Sequence, residues 1–451
     1  MWTRTEDGSV VDDTGKVIYF SLERFVRDIG LGDCCFICGA SPSDVPFNNE
    51  HVIPEWILRR FGLFDRSLTL PNGTSMRYDR YTVPCCVACN GLMGRVIEQS
   101  ISALTEGGYD AVNAWREQHG ILNLYVWIGL LFLKTHLKDR TLRAHLDARK
   151  GHARIAEELQ YDWGGLHYLH TLVRCFATGT GIHTDALGSF FIVKVRGDAS
   201  GQVFDYGDLY HSQSVMLRLG DVAFIACFND GGNAGLFLKQ KLDRITGAVS
   251  DVQLRELATE LAFLNVHLKD HPKLQSYFDL ELERHEMRGT FVMPELVDLD
   301  YAIRGKLMHY VFRDMFGKVK SYRWTDQEVE AMVVGGRATF LFDDHGAFIQ
   351  RRRTASLIGG SFKKAPRFAM KRAPHVELRV APQRTPHRLD FGLAELVRPV
   401  ALRRSDGKPS TSAAACAKAK KAASGTGSST TIAKFRCTDS GQFVNRKEKL
   451  S

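Results

Sequence analysis

The sequence predicts an α+β protein in which a cysteine-rich module precedes a larger α+β domain and a disordered basic tail. Three observations support this fold class. Six of the ten cysteines lie in two tight clusters, the stretch 101–320 mixes helical with strand-like apolar spacing, and 404–451 is of low complexity. The predicted divisions are a strand–helix lead at 1–32, the module at 33–100, the α+β domain at 101–320, a basic and weakly structured segment at 321–403, and the tail at 404–451.

Length and composition are typical of a globular protein. The chain has 451 residues, of which 44% are hydrophobic and 25% charged, enough for about two or three domains of roughly 100–200 residues each. Its polar start does not resemble a signal peptide. The longest apolar stretch, 121–133, contains Asn123 and is too short to cross a bilayer. We therefore expect a cytoplasmic protein without membrane contact, and this stretch is predicted to be a buried helix.

The net charge of +9 is unevenly distributed along the chain. From Arg351 onward there are 23 basic and 6 acidic residues, whereas the preceding part has 37 basic and 45 acidic residues. A basic end on a mildly acidic body indicates an electrostatic arm for a polyanion, usually nucleic acid. The alternative is a solvated tail that only keeps the protein soluble. After Arg404, the Ala-, Ser-, Gly- and Lys-rich composition cannot offset its ordering entropy, so disorder is predicted.

Turn and cap signals predict the short elements around the cysteines. A strand at KVIYF leads into a helix from Ser21 to Asp28, with Ser21 as its N-cap. A helix is predicted over Glu55–Phe61, and a hairpin is predicted over Leu68–Tyr78 because Asn-Gly is the strongest short-range hairpin signal. The second cysteine cluster leads into a helix predicted at Leu92–Leu104.

The region 101–320 has periodicity but no motif that indicates a reaction. It contains no Walker loop, no Gly-rich dinucleotide turn and no nucleophile elbow. His167 and His170 could share a helix face, but without an adjacent ligand set they are interpreted as structural, and Cys175 and Cys227 as core residues. Helices are predicted at 109–115, 122–133 and 253–268, and strands at 190–195, 214–219 and 222–228.

Two Cys-x-x-Cys pairs predict a metal site. Clustered cysteines in a chain without an export signal favour metal binding over disulfides. Four thiolates in this pattern form a tetrahedral site with no open position, so the expected ion is structural Zn²⁺ that contributes folding free energy. Cys34 and Cys85 precede the pairs and leave another ligand register open. The preferred ligands are Cys35, Cys38, Cys86 and Cys89.

A polar motif stands between and after these pairs. Glu50 and His51 come at the end of a predicted strand, Pro54 follows, and Asn90 comes directly after the last cysteine. With the two Cys-x-x-Cys pairs, this order resembles the HNH endonucleases, over about 70 of the 451 residues. The resemblance implies a ββα-metal module that hydrolyses phosphodiester bonds of DNA, with RNA as a further possible substrate.

The resemblance also implies a role for each polar residue. Glu50 and Asn90 would hold a catalytic Mg²⁺ or Mn²⁺ through oxygen atoms, which these hard cations prefer. His51 would be the general base that activates water, since the ordinary pKa of histidine, about 6.5, is close to working pH. Arg95 would contact a phosphate where the family often has lysine. The family's orienting asparagine before the second pair is absent, and Tyr81-Thr82-Val83 stands there.

This departure favours a second hypothesis, in which the zinc fold is a catalytically inactive module that binds nucleic acid or protein. Glu50 and His51 would then be a polar strand end, and Asn90 a helix N-cap. Glu98, about two turns along the helix from Asn90, is interpreted as a solvated residue, with contact to the metal as the alternative. The ordered Glu-His and Asn set favours the endonuclease, because a scaffold needs only the cysteines.

Overall fold

The computed structural model describes residues 2–196, 203–313 and 325–350, with the backbone of two short strands at 435–437 and 443–445. Apart from those strands, the predicted tail and the part of the basic segment from 351 onward lie outside the described residues. Helices and strands alternate through the described part, which confirms the predicted α+β class.

The strands of the described residues are mostly short and antiparallel. They are β1 (Trp2–Arg4), β2 (Val10–Asp12), β3 (Val17–Tyr19), β4 (Phe47–His51), β5 (Ser67–Thr69), β6 (Ser75–Arg77), β7 (Thr82–Cys86), β8 (Gly181–Ile182), β9 (Phe190–Lys194), β10 (Phe204–Leu209), β11 (Ser214–Leu219), β12 (Val222–Cys227), β13 (Leu274–Asp279), β14 (Arg284–Gly289), β15 (Phe435–Cys437) and β16 (Phe443–Asn445).

The α-helices range from single turns to the long, buried α6. They are α1 (Leu22–Phe25), α2 (Glu55–Arg60), α3 (Val87–Met93), α4 (Gln99–Glu106), α5 (Gly108–His119), α6 (Leu122–Asp139), α7 (Ile155–Glu158), α8 (Trp163–Val173), α9 (Cys175–Thr178), α10 (Asn233–Leu242), α11 (Asp251–Val266), α12 (Tyr301–Phe312) and α13 (Asp326–Val334).

Local signals placed several of these elements correctly. The Ser21 side chain accepts from the Arg24 amide and caps α1. Strands β5 and β6 pair as the predicted hairpin around Asn72 and Gly73, and Gly73 has the positive φ of 78° that favours glycine. The helix predicted at 92–104 begins earlier, at Val87, and a π-helical turn at 94–98 separates α3 from α4.

The central sheet has the order β10-β11-β12-β9, with antiparallel pairing throughout. Every residue of β11 and β12 is buried, as expected for strands covered on both faces. A separate antiparallel pair, β4 and β7, carries the predicted polar motif and joins Phe47 to Cys86 and His51 to Thr82 in register. Helix α3 follows β7 directly.

Helix α6 lies at the centre of the main core. Nearly all of its residues are buried, which confirms the prediction of a buried helix at 121–133. One continuous hydrophobic cluster joins it to the cysteine-rich region, α8 and the central sheet. Within the described residues, no single helix is long and apolar enough to span a membrane, and α5 with α6 meets that test only as a pair bent by 117°.

Close packing of α6 against α8 generates the first prediction. A Cβ added at Gly129 of α6 would lie 2.7 Å from Cγ1 of Val173 and 3.0 Å from Cδ1 of Leu169. We expect Gly129→Val to lower the free energy of unfolding by about 1–3 kcal/mol, because overpacking displaces the helix. Denaturant unfolding measures this change. Gly94→Ala is the control, because its Cβ would meet no atom within 4 Å; equal loss in both variants would contradict the packing argument.

Candidate functional site

Two loops bring four cysteine sulfurs together. The first loop follows α1 and carries Cys35 and Cys38, and the second, at the end of β7 and the start of α3, carries Cys86 and Cys89. All four Sγ atoms lie within 4.8 Å of one another. Among the described residues, no other group of three or more potential ligands is close enough together to bind one metal ion. The four cysteines predicted as ligands are therefore positioned to bind a metal ion, which is consistent with structural zinc.

The structure also decides the ligand register. The Sγ atom of Cys85 lies 3.8 Å from that of Cys35, but Cys85 and Cys34 are not members of the four-sulfur group. Burial raises the pKa of the Cys34 thiol. Cys86 also caps α3, since its Sγ accepts from the Cys89 amide at 3.4 Å. A sulfur that caps the helix is held in place before any ion binds.

The thiols affect one another strongly. Neighbouring Cys35 raises the pKa of Cys38 to about 12, while hydrogen bonds from Cys38, Cys85 and Cys89 lower the pKa of Cys35. One thiolate can therefore form in the cluster by itself, but further ionisation is opposed by repulsion between like charges. A divalent cation at the centre removes this opposition, and the donor set fits zinc for that reason.

Helix α8 holds the first cysteine loop from behind. His170 Nε2 is 2.8 Å from the Phe36 carbonyl oxygen, and the Arg174 guanidinium donates to the carbonyl oxygens of Ile37 and Val17. Burial lowers the pKa of Arg174 to about 9, while the nearby thiols oppose this shift. His167 likewise lies 2.7 Å from the Phe20 carbonyl. Both histidines are buried and bind the backbone, in agreement with their structural interpretation.

Glu50 lies near the end of β4, where it meets a buried lysine of α6. Lys134 Nζ donates to Glu50 Oε1 at 2.6 Å and to the His51 carbonyl oxygen at 2.8 Å. The Lys134 side chain is only 1% exposed. Burial opposes its charge, but Glu50 and Glu98 outweigh this effect and raise the pKa of Lys134. One oxygen of Glu50 is therefore already used in an ion pair.

Glu98 belongs to the same charged group and is half-buried, so its interpretation as a solvated residue is wrong. Its Oε1 lies 3.8 Å from Lys134 Nζ, and its side chain is 17% exposed. Burial raises the pKa of Glu98 to about 7; Lys134 lowers it and Glu50 raises it again. The carboxyl groups of Glu50 and Glu98 thus share the one ammonium group of Lys134. When both carboxyl groups are ionised, the three side chains together carry a net charge of −1.

Asn90 lies inside α3, so the alternative of an N-cap is wrong; that position belongs to Cys86. Its Nδ2 donates to Asn48 Oδ1 at 2.9 Å. Asn48 and Glu50 are two residues apart on β4, and side chains alternate along a strand, so both belong to one face of β4. Asn90 therefore approaches the face that carries Glu50, whereas His51 belongs to the opposite face.

The residues around His51, the predicted general base, differ from those that the HNH resemblance implies. Tyr81, in the place of the orienting asparagine, is buried and donates its hydroxyl to Asp139 at 2.6 Å. Asn72 lies in the hairpin turn and binds the Arg143 carbonyl. No described side chain makes a hydrogen bond with the imidazole of half-buried His51. Arg95 is exposed and stays a predicted phosphate contact.

Sequence reasoning missed Lys134, although it donates to both Glu50 and the His51 carbonyl oxygen. It is separated from Glu50 by 84 positions. The available signal was its place directly after the apolar stretch 121–133, where a charge inside a buried helix requires a partner.

Comparison of this chain with known protein families, with curated proteins and with solved structures finds no match.

The four-sulfur geometry generates a prediction about metal content. We expect Cys35→Ser and Cys86→Ser to lose the bound ion and to unfold the region around it, because structural metal sites contribute folding free energy. Elemental analysis and circular dichroism of purified protein measure both effects. The matched controls, Cys34→Ala and Cys85→Ala, should keep one equivalent of zinc. Loss of zinc in Cys85→Ala would mean that the other register is correct.

The buried ion pair generates a prediction about stability. We expect Lys134→Met to lower the free energy of unfolding by about 3–5 kcal/mol, because the variant leaves buried carboxylates without their counter-ion. Adding Glu50→Gln should restore part of the loss, as measured by denaturant unfolding at neutral pH. Lys138→Met, one turn further along α6, is the control. Equal effects of the two lysine substitutions would show that the ion pair contributes nothing specific.

Proposed function

We propose that this protein is a metal-dependent endonuclease that hydrolyses phosphodiester bonds of DNA, and that its zinc-stabilised strand–strand–helix unit is an HNH-type ββα-metal module. The observation that best supports the proposal is the hydrogen bond between Asn90 and Asn48, which brings the start of α3 to the face of β4 that carries Glu50. The antiparallel order of β4 and β7, with α3 following, agrees with it.

The ligand chemistry of these residues fits a hard divalent cation. Glu50 uses Oε1 for Lys134, and Asn90 uses Nδ2 for Asn48. No described group donates to Glu50 Oε2 or Asn90 Oδ1, and both are oxygen donors of the kind that Mg²⁺ and Mn²⁺ prefer. When bound, such an ion would stabilise the charge that develops on the phosphate oxygens during cleavage.

The chain's own residues would divide the remaining tasks. His51, the last residue of β4, would accept a proton from the attacking water. Lys134 would orient Glu50 through the buried ion pair and would fix the His51 backbone through its carbonyl oxygen. Exposed Arg95 would bind a phosphate, which gives position along the nucleic acid without sequence preference.

A second candidate function is a zinc-scaffolded module that binds nucleic acid or protein without cleaving it. The ion pair between Lys134 and Glu50 favours this candidate, because it already neutralises the carboxylate that a metal would need. The placement of His51 on the opposite face of β4 from Glu50 favours it too. In that case the same polar group would only stabilise the strand end.

A plasmid-nicking assay with the full chain separates the two candidates. We expect nicking of supercoiled DNA in the presence of Mg²⁺ or Mn²⁺, no nicking with a chelator, and a loss of about 100-fold or more in His51→Ala, as for removal of a general base. Zinc content and the melting temperature of the variant should equal those of the wild type. His152→Ala, which removes an exposed histidine elsewhere, is the matched control and should nick normally.

Absence of metal-dependent nicking by folded, zinc-loaded wild type would refute the endonuclease. If that protein still bound DNA with an affinity that falls as salt rises, the binding module would be supported, because this dependence reports displaced counter-ions. Equal nicking by wild type and His51→Ala would refute the role of His51 as the base.

A further inference from the structure

The connection between α6 and α7, residues 140–154, carries a concentrated positive charge. It contains five basic residues and one acidic residue, a net charge of +4 with histidine counted as neutral. The first 350 residues of the chain are by contrast net negative, with 37 basic and 45 acidic residues. A positive surface on an acidic body indicates a polyanionic partner. The charged residues of this connection, here called the basic loop, are Arg140, Arg143, Asp147, Arg149, Lys150 and Arg154.

The basic loop begins beside the strand end that carries the polar motif. Helix α6 contacts this strand end through Lys134, whose Nζ donates to the His51 carbonyl oxygen at 2.8 Å. Five residues later, Asp139 accepts from the hydroxyl of Tyr81 at 2.6 Å. Tyr81 directly precedes the residue of β7 that pairs with His51. Because an α-helix rises about 1.5 Å per residue, the loop begins roughly 9 Å along the axis of α6 from Lys134.

Hydrogen bonds hold the backbone of the basic loop in a defined shape. The Arg140 guanidinium donates to a carbonyl oxygen of the first cysteine loop. The Asn72 side chain of the β5–β6 hairpin donates to the Arg143 carbonyl oxygen at 2.7 Å. The two halves of the loop pair with each other, and the Ala144 amide donates to the Ala153 carbonyl oxygen at 2.8 Å. The loop is therefore attached to the cysteine-rich region at two points.

The cationic side chains of the loop are largely exposed, namely those of Arg143, Arg149, Lys150 and Arg154. No described group makes a hydrogen bond or an ion pair with the guanidinium of Arg143. The Arg149 side chain is 90% exposed and pairs with Asp147 at 2.9 Å. An exposed ion pair of this kind is weak, so Arg149 can exchange Asp147 for a phosphate group.

Acidic residues beside the loop do not cancel its charge. At the start of α7, Glu157 accepts from a backbone amide of the loop at 2.9 Å. With both glutamates of α7 included, residues 140–158 still carry a net charge of +2. Beside the β5–β6 hairpin, Asp65 and Asp79 both lie within ion-pair distance of Arg77. The surface next to the strand end therefore stays net positive on the side of the loop.

We propose that the basic loop binds phosphates of duplex DNA beside the bond that the strand end would cleave. This inference rests on the proposed endonuclease function, which places cleavage at the end of β4. One strand of a duplex carries a phosphate about every 3.4 Å along its axis, so a loop roughly 9 Å away reaches a phosphate about three nucleotides from that bond. Such contacts position the duplex without reading its sequence. They require permanent cations, so neither histidine of the loop is needed for them.

An acidic protein surface is the other partner that a basic loop fits. The cores of protein interfaces are apolar and depleted of lysine. Within the described residues of the loop, Leu146 is the one large apolar side chain that is exposed. The attachment of the loop to the same region as Glu50 and His51 also favours the substrate proposed for those residues, since it brings the positive charge to the strand end.

Binding of a fluorescent DNA duplex to the full chain, without added Mg²⁺ or Mn²⁺, tests the inference separately from cleavage. Two triple variants that lose the same charge are compared. The loop variant replaces three exposed cations of the basic loop and consists of Arg143→Gln, Arg149→Gln and Lys150→Gln. The matched control replaces three exposed lysines on other elements and consists of Lys16→Gln, Lys239→Gln and Lys269→Gln. Zinc content and melting temperature should equal those of the wild type in both.

We expect the loop variant to bind DNA about tenfold or more weakly at about 100 mM salt, because each lost phosphate contact returns counter-ions to the duplex. The slope of log affinity against log salt should become shallower by about 2–3 units, at roughly 0.9 per contact. The control should stay within about threefold, since salt screens charges beyond about 10 Å. In the nicking assay, the loop variant should approach the wild-type rate at saturating DNA, because the residues of the strand end are unchanged.

The two proposals fail in different ways. If the protein nicks DNA but the loop variant binds as tightly as the wild type, or loses no more affinity than the control, the loop is not the phosphate contact. If the wild type binds DNA through the loop but never nicks it, the endonuclease is refuted and the loop remains a DNA contact. Folded wild type without measurable affinity for DNA at low salt would overturn the inference as well and would point to an acidic protein partner.

Discussion

The burial of one ammonium group, that of Lys134, constrains much of this structure. Helix α6 is buried along nearly its whole length, so a lysine within it must find anionic partners. It finds Glu50 from β4 and Glu98 from the end of the π-helical turn after α3. These contacts fix the β4 end against the core and align it with the start of the next helix. They also engage one of the two carboxylate oxygens of Glu50, Oε1, in the ion pair.

The four-sulfur group and α8 supply a second constraint on the same region. A stretch of about 70 residues buries a smaller fraction of its surface by itself than a larger domain does. Four sulfurs positioned to bind a metal ion meet there, while Arg174 and His170 bind the carbonyl groups of the first loop from α8. Because the hydrophobic cluster is continuous from this region into α6 and the sheet, the region depends on the rest of the chain for its geometry.

Burial affects the charged groups differently at two polar sites among the described residues. At the strand end, the buried Lys134 ammonium forms an ion pair with the Glu50 carboxylate. At Asp139, the last residue of α6, burial instead raises the pKa of the carboxyl group to about 8. The first arrangement offers a negatively charged oxygen to a metal or simply stabilises a strand. The second favours the neutral form of the carboxyl group.

The sequence by itself determined the features whose cause is local. Two residues between cysteines fix the distance between two sulfurs, Asn72-Gly73 fixes a turn, and an apolar run without charges defines a buried helix. The convergence of the four cysteines, the β5–β6 hairpin and α6 were therefore predicted correctly. Only the tertiary structure decided that Lys134 binds Glu50, that Glu98 lies half-buried near Lys134, that Asn90 binds Asn48, and that Asp139 and Asp208 line one cavity. These contacts join positions distant along the chain, and their energies depend on burial, which exists only after the core has formed.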